Sequence, residues 1–349
     1  MPEAPRILFI PVSGAFGMGE YARSLAIAHA VRRQWPEAEI QFILSRQAPY
    51  AAAAPFPAIL LDSSPTFHTA AVTESIQKFK PHIVIFDNAG RTAQLHAAAR
   101  AGARIIFISS RSRQRRKAFR WRWMRLIDEH WIAYPQFIAG ALNVFERLKL
   151  DWLRRPALRY LDVILSQPGS ENSIMARAGL NLETYVLVVP GGGTGHPGAA
   201  DAAATFLAAA NTLADGGTPT VFVGPTGTAP SSRLRCFQAL PQSDLAELMS
   251  GARLIVTNGG STLLQGIACG RACIAIPIAR DQHQRIQRCL DADVAIGAKL
   301  DAAGIVQAAG ALLSNESARL ALAQRASALQ LADGIEVALA ALTRLMKTV

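Results

Sequence analysis

Twice along the chain a short apolar run breaks into a glycine-rich turn and then into a helical pattern, and this repetition restricts the fold more than any other feature. The first instance is Ile7-Leu8-Phe9-Ile10, then Ser13-Gly14-Ala15-Phe16-Gly17-Met18-Gly19, then a helix expected over about 20–33 with Leu25, Ala26, Ala30 and Val31 at helical spacing. The second is Tyr185-Val186-Leu187-Val188-Val189, then Pro190-Gly191-Gly192-Gly193-Thr194-Gly195, then an alanine-rich helix. Further buried strands are expected at 39–44, 59–61, 82–86, 104–108, 220–223, 254–256 and 274–276. Strands that alternate with helices imply a parallel sheet with right-handed crossovers. The chain therefore reads as two successive α/β halves. We expect a first domain over 1–165, a polar, glycine-containing linker over 166–184, a second domain over 185–330, and a terminal helix over 331–349 free to pack back on the first domain.

The stretch 257–282, TNGGSTLLQGIACGRACIAIPIARDQ, carries the strongest chemical signal. Asn258-Gly259-Gly260-Ser261-Thr262 lies between an apolar strand and a helix. Glycines there let the backbone approach a phosphate, and the first-turn N–H groups of the helix point at it. Asp281 and Gln282 follow the next strand, at its carboxyl end, where open α/β sheets hold their ligands. A phosphate and a hydroxyl-rich group held side by side describe a nucleotide-sugar.

Composition narrows the alternatives. With 349 residues, half of them hydrophobic, the chain can build two ordinary cores, and wholesale disorder is excluded. No apolar run approaches the roughly 20 residues of a membrane span. The first residues lack a secretory pattern, so a cytoplasmic location is expected. Cys236, Cys269, Cys273 and Cys289 lack paired metal-ligand spacing and read as reduced core thiols. Asp291-Ala292-Asp293 ends a helical stretch rather than a strand, so it reads as a solvated helix terminus, and no metal or other cofactor is implied.

The three pieces at 13–20, 190–195 and 257–282 together resemble the GT-B glycosyltransferases. The likeness is to the branch with glycosyltransferase family 28, whose members include the lipid II-forming N-acetylglucosaminyltransferase, and to the related UDP-sugar hydrolase of pseudaminic acid synthesis. The resemblance implies an α/β GT-B fold, two Rossmann-like domains facing across a cleft, with the nucleotide on the second. On the donor side it implies diphosphate contacts from Gly191, Gly192, Gly193, Thr194, Asn258, Gly259, Gly260, Ser261 and Thr262. It also implies ribose contact from Gln265, where the family usually has a glutamate, base contact from the Leu240 backbone, and donor-sugar contact from Asp281 and Gln282. On the acceptor side it implies Gly17, Gly19, Arg23, Asp87 and Asn88, with Glu20 standing where the family has a histidine base. A carboxylate can take the acceptor proton as well as an imidazole can. Glu20 would equally suit the positive end of a helix, and Asp87-Asn88 would suit a cap on the helix that follows. His196 and His283 are weaker candidates for donor contact.

Charge is distributed unevenly. Residues 1–165 carry 23 Lys/Arg against 12 Asp/Glu, whereas 166–349 carry 13 of each, so the first half holds the whole net charge of +11. Segment 110–125, SRSRQRRKAFRWRWMR, mixes eight basic residues with Phe119, Trp121 and Trp123. Such runs are often solvated helix faces. Here basic residues among tryptophans point instead to anionic lipid headgroups, with Arg115, Arg116, Lys117, Arg120, Trp121, Arg122 and Trp123 docking at the membrane. No nucleic-acid-binding motif accompanies the patch, so nucleic acid is not an expected partner.

The reading is a metal-independent, inverting glycosyltransferase that moves a sugar from a UDP-sugar-like donor to an envelope polysaccharide or lipid-linked acceptor. It would work in the cytoplasm, peripherally on the inner face of the membrane. A nucleotide-sugar hydrolase, in which Glu20 activates water, and a non-catalytic nucleotide-sugar-binding relative are the alternatives.

Overall fold

A computed structural model describes residues 4–15, 17–165, 173–191, 199–226 and 230–347. The chain divides into two compact units, residues 1–164 with 332–349, and residues 165–331.

The first unit runs β1 (Arg6–Pro11), α1 (Gly19–Gln34), β2 (Glu39–Ser45), β3 (Ala58–Leu61), α2 (Thr69–Phe79), β4 (Ile83–Asp87), α3 (Thr92–Arg100), β5 (Arg104–Ser109), α4 (Ser112–Ala118), α5 (Trp121–Met124), β6 (Glu129–Ile132), α6 (Gln136–Ala139), α7 (Val144–Leu153) and β7 (Ala157–Tyr160). Its strands form one parallel sheet in the order β3-β2-β1-β4-β5-β6-β7. Strand periodicity sorts the core into two layers. Ile7 and Phe9 face one side, while Leu8 and Ile10 face the other with Val72, Ile76 and Leu95 of α2 and α3.

The second unit runs α8 (Ile174–Arg177), β8 (Val186–Val189), α9 (Ala199–Asp215), β9 (Thr220–Val223), β10 (Leu234–Phe237), α10 (Gln242–Gly251), β11 (Leu254–Asn258), α11 (Ser261–Ala268), β12 (Cys273–Ile276), α12 (Arg280–Asp291), β13 (Ile296–Gly297), α13 (Ala302–Ser314) and α14 (Glu316–Ala328). The sheet is again parallel, ordered β10-β9-β8-β11-β12-β13. Residues 173–184, expected as linker, belong to this unit. Ser173 caps α8, and Glu247 of α10 accepts from the Ile174 N–H at 3.2 Å, so polar residues that look like a tether are tied down. The last helix, α15 (Gly334–Met346), returns to the first unit, where Ile335, Ala338, Ala341 and Leu342 join the layer containing Ile7 and Phe9.

Each strand order reverses once, between β1 and β4 in the first unit and between β8 and β11 in the second. At such a point the two crossovers leave on opposite faces and open a crevice beyond the strands' carboxyl ends. This topology puts 12–15, 17–20 and 88–91 at one crevice, and 190–191 with 258–262 at the other. No helix among the described residues is long and apolar enough to cross a membrane.

Candidate functional site

The crevice of the second unit is built around Asn258. Its Nδ2 donates to the Pro190 carbonyl at 2.7 Å, and its Oδ1 accepts the Gly260 N–H at 2.8 Å. One buried amide thus ties the end of β8 to the start of α11. The neighbouring glycines are required by this packing. A Cβ on Gly191, whose φ is +82°, would lie 2.8 Å from Asn258 Cγ, and one on Gly260 would lie 2.7 Å from Asn258 Oδ1. A Cβ on Gly259 would lie 2.6 Å from Ile286 Cγ1.

Among the described residues no side chain caps α11, so the first-turn N–H groups at Ser261 and Thr262 have no such partner there, with Ser261 exposed. A helix start of this kind has the free N–H groups and the positive potential that suit an anion. Gln265, one turn on, lines a small pocket with Gln242, Leu245 and Met249 of α10. Leu240 is half-buried just before α10. Gly192, Gly193, Thr194 and His196 lie outside the described residues.

The Asp281-Gln282 pair separates into two roles. Asp281 sits exposed in the first turn of α12, 3.7 Å from Arg285. Gln282 is buried, and its Oε1 accepts the N–H groups of Gly259 at 3.3 Å and Ile278 at 3.0 Å. It braces the turn at Gly259 from beneath, which corrects its assignment as a sugar contact. His283 is exposed beside it.

In the first unit the crevice gathers Glu20, Asn88, Ser110 and Arg111. Glu20 occupies the first turn of α1, where negative charge is favoured. Asn88 donates to its Oε1 at 2.8 Å, and Arg111 approaches the same oxygen at 3.6 Å. Asn88 is itself fixed. Its φ is +53°, its Oδ1 accepts the Ser110 N–H at 2.9 Å, and its Nδ2 lies 2.5 Å from Ser110 Oγ. The Ser110 N–H sets which way the amide points, so Nδ2 faces the carboxylate. Ser110 and Arg111 escaped the sequence reading, although their place at the end of β5, beside the reversal, marks that position. A Cβ at Gly17 or Gly19 would meet nothing within 4 Å among the described residues, so this turn is open where the other is crowded.

Arg23 and Asp87 pair with each other beneath the crevice. The guanidinium donates to both carboxylate oxygens, at 2.9 and 2.6 Å, and both residues are buried. Burial pushes the Asp87 carboxyl up to about 6 against the pull of Arg23, and the Glu20 charge adds to the rise. Burial works against the Arg23 charge as well, but Asp87 outweighs it and raises that guanidinium above its usual range. Neither residue can reach an acceptor, which corrects their assignment; they form the floor on which Asn88 and Glu20 stand.

Segment 110–125 also divides. Arg115 is half-buried and bonded to Glu146 and to the carbonyls of Ala139, Gly140 and Ala141. Lys117 donates to the Gly90 carbonyl at 2.6 Å, its Nζ 4.3 Å from the Trp123 ring centroid. Burial, then Arg91, Arg120 and Arg113, bring its pKa down to about 8. Trp123 is core, packed edge-on against Phe107. These three are structural, which corrects their assignment to a docking surface. Arg116, Arg120, Trp121 and Arg122 are exposed.

No protein-family model matches the chain, and no curated protein sequence does either. Solved structures do match. A Phytolacca americana UGT2 complexed with UDP-2-fluoro-glucose and pterostilbene superposes with a TM-score of 0.68 at 12% identity, over 99% of this chain and 100% of that one. An Acinetobacter baumannii MurG gives 0.63 at 14% identity, over 99% and 100%. A putative UDP-N-acetylglucosamine 2-epimerase from Listeria monocytogenes gives 0.61 at 15% identity, over 99% and 98%. The two parallel-sheet units are those of the GT-B fold.

Proposed function

We propose that the chain is a metal-independent, inverting glycosyltransferase that takes a UDP-sugar donor. The observation that carries the reading is the uncapped start of α11, braced by Asn258 and Gln282 at the strand-order reversal of the second unit. The donor diphosphate lies on the α11 N–H groups, with Gln265 at the ribose and Asp281 at the sugar. Gly191 closes the turn beneath it, and the Leu240 backbone reads the base. The UDP-sugar in the Phytolacca americana complex supports this donor class.

Glu20 is the base, held by Asn88. As the acceptor hydroxyl oxygen attacks the anomeric carbon, its proton passes to the Glu20 carboxylate. The anomeric carbon–oxygen bond breaks on the opposite side, and its electron pair leaves with the diphosphate. The charge that develops there meets the positive end of α11, which takes the role a divalent ion would have. The acceptor is an envelope glycan or a lipid-linked one at the inner membrane face, the exposed cations of 111–125 supporting the latter.

UDP release from a UDP-sugar, with a detergent-dispersed lipid extract as acceptor source, tests the assignment. Glu20→Gln should lower turnover on the order of 10²–10⁴-fold with UDP affinity unchanged by calorimetry. Full turnover in that variant would falsify the base assignment. Equal release with and without acceptor would make the protein a hydrolase, and UDP-sugar binding without turnover would make it a binding protein.

A further inference from the structure

Helix α7 is built inside out. Its Asn143–Glu146 capping box fixes the start, and buried Glu146 pairs with Arg115 at 2.7 Å, so one side is clamped to the unit. Val144, Phe145, Leu148 and Trp152 point the other way, exposed by 60, 73, 59 and 70%. At about 100° per residue these four positions fall within an arc of roughly 100°, one continuous stripe. Trp121 joins it, its ring edge-on to Trp152 at 4.9 Å, with Lys149 Nζ 5.7 Å from the Trp121 centroid. An apolar stripe facing outward on a soluble unit marks a docking surface.

The charges around it say what docks. Residues 111–155 hold 12 Lys/Arg against four Asp/Glu, and of those acids only Asp151 is exposed, since Glu129 and Glu146 are buried and Asp128 is paired with Arg104 and Arg155. We infer that α7 with Trp121 is an interfacial anchor for an anionic lipid surface. Phe145, Leu148 and Trp152 enter the headgroup boundary, and Arg116, Arg120, Arg122 and Arg147 meet lipid phosphates. A second copy fits poorly, because an isologous contact would bring the same cations face to face. Nucleic acid would use the cations and leave the apolar stripe in water. The inference rests on the membrane half of the reading above and not on its chemistry.

Vesicle flotation tests it, with phosphatidylcholine alone and with phosphatidylcholine containing phosphatidylglycerol. The native chain should float with the anionic vesicles. Phe145→Ser combined with Leu148→Ser and Trp152→Ser should lower partitioning on the order of a hundredfold while UDP binding and the circular-dichroism spectrum stay native. Because the three side chains are exposed, the fold does not depend on them. Native partitioning by the triple variant, with loss on Arg116→Ser, Arg120→Ser and Arg122→Ser, would show that 110–125 docks without α7. A lipid-free dimer broken by the triple variant would assign the stripe to a second copy, and a nucleic-acid complex weakened by it would assign the stripe there. If the native chain floats with neither vesicle, the membrane reading fails while UDP release remains a separate measurement.

Discussion

Replacing Gly191 by alanine isolates the contact that holds the donor turn. Two penalties combine in this variant. An L-residue held at φ +82° costs roughly 1–2 kcal/mol. The new Cβ also collides with the Asn258 amide, which must move and give up its bonds to Pro190 O and Gly260 N–H. Each bond contributes roughly 0.5–1.5 kcal/mol, so the second penalty is about 2 kcal/mol and the total about 3 kcal/mol. Gly217 supplies the control: its φ is +85°, yet a Cβ there would meet nothing within 4 Å. Gly217→Ala should therefore show the backbone penalty alone, roughly 1–2 kcal/mol. All five tryptophans (Trp35, Trp121, Trp123, Trp131 and Trp152) lie in the first unit, so emission is silent on the second. Hydrogen exchange on peptides covering 186–189 and 254–258 reads it directly, as a loss of protection about thirtyfold greater for Gly191→Ala. UDP affinity should fall in that variant and hold in Gly217→Ala. Equal protection in the two would refute the idea that Asn258 carries the turn.

Gln265→Glu restores a charge where the family resemblance leads one to expect it. A charge-assisted bond to the ribose hydroxyls is about 1 kcal/mol better than a neutral one, so UDP should bind about fivefold tighter by calorimetry, and unchanged or weaker binding would remove Gln265 from the ribose. His130 predicts an acid sensitivity of the first unit. Burial, then Arg115, bring its pKa down to about 3, so the folded state keeps it neutral while the unfolded chain takes a proton below about 6.5. The unfolded state binds more protons between those values, so stability present above about pH 6.5 is lost as pH falls toward 3. Between pH 7 and 5 this amounts to about 2 kcal/mol, and His130→Gln should remove that share from urea midpoints followed by tryptophan emission. An unchanged pH slope in the variant would assign the sensitivity elsewhere.

The strands on both sides of each reversal were legible because each is apolar over three to five consecutive residues, and the sheet's own periodicity then fixes which side every residue faces. Strand β6 was not. Its Glu129 and His130 argue against burial, yet Glu129 is fully buried because Arg159, Arg344 and the Trp131 indole reach it. Those arginines lie 30 and 215 residues away, beyond anything a local pattern records. Residues 173–184 failed for the same reason: the carboxylate that pins α8 is Glu247. The donor turn was legible in place but not in cause. Its glycines suggest a backbone stripped to admit a phosphate, whereas the space beside Gly191, Gly259 and Gly260 is filled by Asn258 and Ile286. The proposed anion site rests on the start of α11, to which the glycines contribute only by letting Asn258 sit where it does.

Segment 110–125 shows why a charge run cannot be interpreted by counting. Eight cations look like one surface, but the short helices α4 and α5 turn part of the run inward, and the inward polar groups find oxygen. Arg115 takes a carboxylate and three carbonyls, Lys117 takes Gly90 O, and Trp123 buries its ring while its Nε1 donates to Thr92 Oγ1 at 3.0 Å. What remains outside is sparser and would be an ordinary solvated face, except that Trp121 leans on Trp152. That contact joins the leftover cations to an apolar stripe twenty to thirty residues downstream, which sequence periodicity alone would assign to the core. Exposure of Phe145 and Trp152 needs an explanation because burying either would stabilise the fold by about 2 kcal/mol, and the chain forgoes it. The lipid partner proposed for the surplus of arginine therefore rests on those two side chains.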